Sequence, residues 1–180
     1  LKFDIRQIVA EIESSYDLWD AYKLRTAVYE HSDVSDIWVR YNAWENYTGD
    51  RTAFNEPHES SWYPAIEQLP SVKSLVFDLM RSVEGERLGG VLITRIPAHG
   101  ECRPHRDGGW HASYYRKFAI QLASAPGQAF CFEGESLSAK PGETYSFSNE
   151  FTHWVTNPTE QARMTLIVCI KTERFPCPGA

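Results

Sequence analysis

Two histidines and an aspartate stand where a redox metal could be gripped: His105 and Asp107, one residue apart, and the distant His153. Two imidazoles and one carboxylate make a three-ligand face for a divalent first-row ion. Such a face leaves the opposite positions open, as non-haem Fe(II) requires for oxygen chemistry. Residues two apart on an extended strand point to the same side, so His105 and Asp107 can hold one ion together. The third ligand must then come from a distant strand of the same barrel. Ten positions after His153 stands Arg163, whose planar fork can hold a carboxylate by two hydrogen bonds. An arginine inside an apolar strand is costly unless paired, so a bound diacid suits it better than an ordinary acid of the chain. Read singly, His105-x-Asp107 could be a loop ion pair and His153 a satisfied core histidine. The four residues at this spacing favour the metal reading.

A scaffold must bring these residues together, and the second half of the chain has the pattern for one. Short strands are expected at 90–96, 102–107, 116–123, 128–132, 135–139, 143–147, 151–156 and 163–172. Turn signals fall between them, among them Gly108-Gly109, Pro126-Gly127 and Pro141-Gly142. Eight such strands match a jelly roll. In the last strand Met164, Leu166, Val168 and Ile170 share one face, opposite Arg163, Thr165, Ile167 and Cys169. Phe118, Ile120 and Leu122 likewise lie opposite Lys117, Ala119 and Gln121. The apolar faces should lie under helices and the mixed faces should line the barrel interior. The first half supplies the cover: helical spacing at 5, 8, 9 and 12, a second helix expected over 15–25, and a stripe of Val72, Leu75, Val76, Leu79 and Val83. That last helix has Ser71 as N-cap and Gly85 as stop. A strand is expected at 36–41 and a long polar loop at 42–61, a length at which loops are often functional. The fold class expected is mainly β with N-terminal helices, a double-stranded β-helix (jelly roll, cupin-like) with one sheet covered by helices. It forms a single domain over 1–180: a helical and loop region to 87, the jelly-roll core at 88–173 and a tail at 174–180.

Composition narrows the partners. The chain has 180 residues, 42% apolar and 23% charged, with a net charge of −6, which reads as soluble and globular. An acidic chain argues against tight binding to a nucleic-acid backbone. No apolar run reaches membrane-spanning length and the first residues lack the apolar core of a signal peptide. Cys102, Cys131, Cys169 and Cys177 form no C-x-x-C pair, and reduced cysteines in a cytoplasmic protein are expected. Around the motif, Trp110, Tyr114 and Tyr115 suit a lid or pocket wall. His111 suits a substrate contact rather than a fourth ligand, His99 a solvated turn, and His31 and His58 polar segments that could reach substrate. Arg40 and Arg103 are spare cations for a substrate carboxylate.

The surrounding words resemble the Fe(II)- and 2-oxoglutarate-dependent dioxygenases, and within them the aspartyl/asparaginyl β-hydroxylase-like branch that includes free-proline hydroxylases. They are Leu92-Ile93-Thr94-Arg95-Ile96-Pro97 leading into Arg103-Pro104-His105-Arg106-Asp107, then Tyr115-Arg116-Lys117-Phe118-Ala119-Ile120-Gln121-Leu122, Phe147-Ser148-Asn149, and His153-Trp154-Val155-Thr156-Asn157. The resemblance covers roughly residues 30–172. It implies Fe(II) on His105, Asp107 and His153, 2-oxoglutarate chelated to the iron with its far carboxylate on Arg163, O₂ as oxidant, and hydroxylation of an unactivated carbon with release of succinate and CO₂. A carboxylate at position 107, rather than Ala or Gly, vacates no site for halide and implies hydroxylation over halogenation. The branch commonly carries an Arg and, two residues on, a His on its third strand, both holding 2-oxoglutarate. The matching positions here are Lys117 and Ala119, or Arg116 if the register is off by one. Lys117 keeps the charge without the fork. With no added peptide-binding domain, a small free substrate or short exposed peptide is expected, carrying a carboxylate as an amino acid or aminoacyl residue. Two other readings share the metal face: a cupin-like isomerase or cosubstrate-independent dioxygenase, which would not need Arg163, and a catalytically silent binding barrel.

Overall fold

Alternating apolar and mixed strand faces can be buried only by closing two sheets on each other, and the chain does so. The structure, a computed structural model, describes residues 1–173. Its strands are β1 (Ser35–Asn42), β2 (Ser60–Trp62), β3 (Arg87–Ile96), β4 (Glu101–His105), β5 (Arg116–Ala123), β6 (Ala129–Phe132), β7 (Glu135–Leu137), β8 (Thr144–Phe147), β9 (His153–Thr156) and β10 (Arg163–Lys171). One sheet runs β2-β1-β3-β10-β5-β8 and the other β4-β9-β6-β7, with all pairings antiparallel. From β3 onward the chain crosses between sheets in the order of a jelly roll: β3, β5, β8 and β10 in the larger, β4, β6, β7 and β9 in the smaller. The expected double-stranded β-helix is thus present, and β1 and β2 extend its larger sheet.

The two faces of that sheet divide as the alternation requires. Leu166, Val168, Ile170, Phe118, Ile120 and Leu122 pack into one core with Ile8 and Ile12 of α1 (Arg6–Ser14) and Val72, Leu75, Val76 and Leu79 of α4 (Ser71–Ser82). Each such side chain taken from water contributes about 1.5–3 kcal/mol. The opposite face, with Arg163, Thr165 and Lys117, looks into the barrel. Among the described residues Cys102, Cys131 and Cys169 are free and buried. No helix there is long and apolar enough to cross a membrane.

Several local expectations are overturned. The helix expected over 15–25 is only a 3₁₀ turn at Tyr16–Leu18 followed by irregular chain. Tertiary contacts take its residues instead: Asp20, at φ 59°, accepts from the Asp36 backbone, Arg25 forks onto Asp36, and Tyr22 packs on Trp44 and Tyr63. Ser71 is not the N-cap of α4; Pro70 is, and it offers no side-chain cap. The Ser71 N–H and hydroxyl both donate to Glu11 of α1, at 3.2 and 2.6 Å, so a neighbouring helix satisfies this end. Gly85 follows α4, but the left-handed residue is Glu84. Gly85 donates back to Met80, and a Cβ there would meet Ile170 at 2.7 Å. Within 42–61 lie a 3₁₀ turn at Trp44–Asn46 and α2 (Arg51–Phe54), capped by Asp50. The expected strand 102–107 ends at His105, where the pairing with β9 ends. α3 (Ala65–Gln68) precedes α4, and α5 (Trp110–Tyr114) occupies the aromatic stretch after the Gly-Gly turn. The tail at 174–180 and Cys177 lie outside the described residues.

Candidate metal centre

Strand pairing, rather than proximity in sequence, brings the two imidazoles together. His105 closes β4 opposite His153, the first residue of β9, with ring centroids 4.5 Å apart. Asp107 does not share a strand with His105, as the two-residue spacing suggested. It follows β4 in the turn toward Gly108 and Gly109 and folds back over both rings. Its Oδ2 lies 3.4 Å from His153 Nε2, and its Oδ1 lies 4.0 Å from His105 Nε2. The other ring nitrogens are committed. His105 Nδ1 donates to the Arg103 carbonyl at 2.7 Å and His153 Nδ1 to the Phe151 carbonyl at 3.0 Å. A carbonyl can only accept, so both Nδ1 atoms carry the proton and both Nε2 lone pairs face the carboxylate. Fixing the tautomer by a hydrogen bond on the far nitrogen is how metal-binding histidines are oriented. One ligand atom from each of the three residues lies within 4.8 Å of the others.

Charge at the site suits a cation. Burial works against the Asp107 carboxylate, but Lys117, 2.5 Å from Oδ2, and the two imidazoles hold its pKa well below the usual range. Burial lowers the His153 pKa, keeping that imidazole available as a neutral ligand. Cys102 Sγ lies 3.8 Å from His105 Nδ1, and His31, Cys102 and His105 also cluster within 4.8 Å. Burial pushes the Cys102 thiol up to about 11, and His105 Nδ1 is already occupied. The nitrogens left free, Nε2 of His105 and of His153, both lie beside Asp107, so the donor set that fits an ion is His105, Asp107 and His153.

Behind the triad, an inner chamber of about 60 Å³ runs to Arg163. Arg163 is 4% exposed and donates to Thr165 Oγ1 at 2.8 Å and Tyr145 Oη at 3.1 Å. Among the described residues it has no acidic partner. In front, an outer chamber of about 480 Å³ opens to solvent past Trp38, Tyr41, His111, Arg51 and Arg106. Lys117 faces inward with its β10 partner Cys169, while Arg116, paired with Ile170, belongs to the other face. Position 117, not 116, therefore meets the cavity, and Ala119 lines the inner chamber beside it.

The other expected contacts separate. His111 lines the outer chamber and accepts at Nε2 from the Gly90 N–H at 3.2 Å; burial holds its pKa down to about 3. Trp110 packs on His58, Tyr114 and Tyr115 behind that wall. Arg40 lies over the Trp62 ring and donates to the Leu88 carbonyl, because β1 carries a bulge between Trp38 and Arg40. One extra residue reverses the alternation, so Tyr41 joins Trp38 at the chamber. Arg103 binds Tyr29, Ser32, Asp33 and Glu101 on the outside of β4. His99 is at the surface, 2.9 Å from Glu160. Arg25, Tyr145 and Thr165 were not singled out from sequence. Thr165 was legible as the same-face neighbour of Arg163, whereas nothing in the spacing pointed to Arg25.

Residues 3–173 match the family model described as aspartyl/asparaginyl beta-hydroxylase. The chain belongs to that family. A 2-oxoglutarate-dependent hydroxylase is what the motif implied, and the family agrees. Among solved structures, a 2OG-Fe(II) oxygenase family oxidoreductase from Burkholderia pseudomallei has a TM-score of 0.56 at 15% identity. The match covers 79% of this chain and 67% of that one, a likeness of fold. A cupin domain from Bordetella pertussis Tohama I has a TM-score of 0.38 at 19% identity, covering 48% of this chain and 85% of that one. No curated protein matches the sequence. For an aspartyl/asparaginyl β-hydroxylase family member, the interior lysine at 117 and alanine at 119 leave Arg163 as the one fork-shaped cation of the inner chamber without an acidic partner among the described residues.

Proposed function

We propose that this protein hydroxylates an unactivated carbon of a small carboxylate-bearing substrate, an amino acid or aminoacyl residue, using Fe(II), O₂ and 2-oxoglutarate, with succinate and CO₂ as co-products. One observation carries the reading: three convergent ligand atoms and a buried, acid-free Arg163 share one chamber. When bound, iron and cosubstrate supply oxygen activation, and the protein supplies positioning and exclusion of water. His105 and His153 would offer Nε2 and Asp107 its carboxylate to the ion. Lys117 stays on Asp107, orienting the carboxylate and adding positive charge where an anionic cosubstrate enters. Arg163, held in place by Tyr145 and Thr165, presents its fork to the far carboxylate of 2-oxoglutarate. A dicarboxylate bound there would neutralise Arg163, which has no acidic partner among the described residues.

Substrate would enter by the outer chamber, where Trp38, Tyr41 and His111 form an aromatic wall. Arg51 and Arg106 are the cations there without an acidic partner among the described residues, and they, rather than Arg40 and Arg103, would hold a substrate carboxylate. The test is a panel of free amino acids and short peptides, each acid paired with its ester or amide. Succinate formation and a gain of one oxygen in the product are measured. Substrate-stimulated succinate from acids and not from their neutral analogues is expected. Equal turnover of both members of each pair refutes the substrate class, and no 2-oxoglutarate consumption with any compound refutes the reaction.

A further inference from the structure

The inner and outer chambers share six lining residues: Arg25, His31, His105, Asp107, Lys117 and Ile167. They form the throat through which cosubstrate and substrate would both face the ion. Four come from the jelly roll. Arg25 and His31 come from the irregular segment before β1. Arg25 is fixed there by its two hydrogen bonds to Asp36, at 2.7 and 2.8 Å. His31 ends the 3₁₀ turn Tyr29–His31, is 7% exposed, and sets its ring edge-on to His105 with centroids 4.6 Å apart. Its Nδ1 is buried without a hydrogen-bond partner.

A buried ring nitrogen without a partner costs free energy unless something bound satisfies it. Packing alone does not call for an imidazole here, since a phenyl ring would fill the same space against His105 without that cost. Metal ligation does not account for His31 either. In the neighbouring group it could join, Cys102 Sγ faces His105 Nδ1 at 3.8 Å, and that nitrogen already donates to the Arg103 carbonyl. A polar atom of a ligand lying in the throat would satisfy it. Ala119 itself offers no donor, so a carboxylate at the metal-facing end would find Lys117 and His31 in the shared throat.

We propose that His31 is a cosubstrate-binding residue, its imidazole N–H donating a hydrogen bond to the carboxylate of 2-oxoglutarate at the metal-facing end of the inner chamber. The assignment rests on the proposed use of 2-oxoglutarate and adds to it a residue from outside the barrel. It also gives the segment 15–34 a function: holding a donor in the throat between the two chambers.

Calorimetry with Mn(II) in place of iron tests this without turnover. Mn(II) is titrated first, then 2-oxoglutarate into the Mn(II) form, for wild type, His31→Phe and His31→Gln. Phe keeps a ring on His105 and removes the donor, and Gln restores a donor. The expected result is Mn(II) affinity unchanged in all three. 2-Oxoglutarate binding should weaken about ten- to hundredfold in His31→Phe, the worth of one hydrogen bond to a charged group, and recover in part in His31→Gln. If His31→Phe does not fold, His31→Leu carries the same expectation. Unchanged 2-oxoglutarate affinity in the folded variant overturns the proposal in favour of packing, and loss of Mn(II) affinity overturns it in favour of ligation. Failure of the wild-type Mn(II) form to bind 2-oxoglutarate removes the cosubstrate reading itself, and the His31 assignment with it.

Discussion

Replacing Arg163 by alanine should separate cosubstrate binding from folding. The guanidinium is 4% exposed, with two hydroxyl partners and no acidic one among the described residues. Without ligand, truncation removes a desolvated cation, which is favourable, and leaves the hydroxyls of Thr165 and Tyr145 without that donor, which costs about 1 kcal/mol each. These nearly cancel, so stability without ligand should change by less than about 2 kcal/mol. With 2-oxoglutarate present, the variant leaves a buried carboxylate unpaired, a loss of about 3–5 kcal/mol, or roughly two to four orders of magnitude in Kd. The assay is unfolding of the Mn(II) form with and without 2-oxoglutarate. At a concentration 100 times the wild-type Kd, ligand should stabilise the wild type by about 2.7 kcal/mol; a variant weakened a hundredfold gains only about 0.4 kcal/mol. Equal stabilisation of both proteins would show that the far carboxylate pairs elsewhere.

Three further outcomes follow from the geometry. His105→Ala, Asp107→Ala and His153→Ala should each lose Fe(II) or Mn(II) binding by calorimetry, whereas His99→Ala and His111→Ala should retain it; iron lost as completely in His111→Ala would overturn the ligand set. Burial lowers the His111 pKa from about 6.5 to about 3, so its contribution is intact above pH 6.5. Below that, the unfolded chain takes up a proton that the folded one refuses. Stability should fall by up to about 1.4 kcal/mol per pH unit between 6.5 and 3 from this group, and denaturant titrations at pH 7 and 5 should show a shallower fall in His111→Gln. Glu11→Ala should cost about 1 kcal/mol, a typical N-terminal capping loss, by removing the acceptor for the Ser71 N–H and hydroxyl; an unchanged denaturation midpoint would mean that water caps α4 equally well.

The eight strands of the barrel, the two helices that bury the larger sheet, and the inward faces of Arg163 and Lys117 were all readable in the chain. Each rests on a local rule: alternation fixes which strand face is buried, and a 3.6-residue stripe fixes which helix face covers it. The clustering of His105, Asp107 and His153 was readable because these residue types are rare in that combination and the third is marked by Arg163 ten positions on. The rest was decided by contacts between segments far apart in sequence. The segment 15–25 has helix-compatible residues, yet Asp20 and Arg25 are bound to Asp36 and Tyr22 to Trp44 and Tyr63, so tertiary partners outweighed a weak local preference. Arg40 reads from sequence as a spare cation for a substrate carboxylate, but a single bulge in β1 sets it over Trp62 and brings Tyr41 to the chamber. Asp107 reaches the two imidazoles from a turn rather than from the strand of His105, because the ladder with β9 stops at the His105–His153 pair. Sequence periodicity fixes the direction of a side chain only while the element stays regular. Bulges, strand ends and irregular connections are set by what they pack against, and at those places the third dimension placed Asp107, Tyr41 and His31.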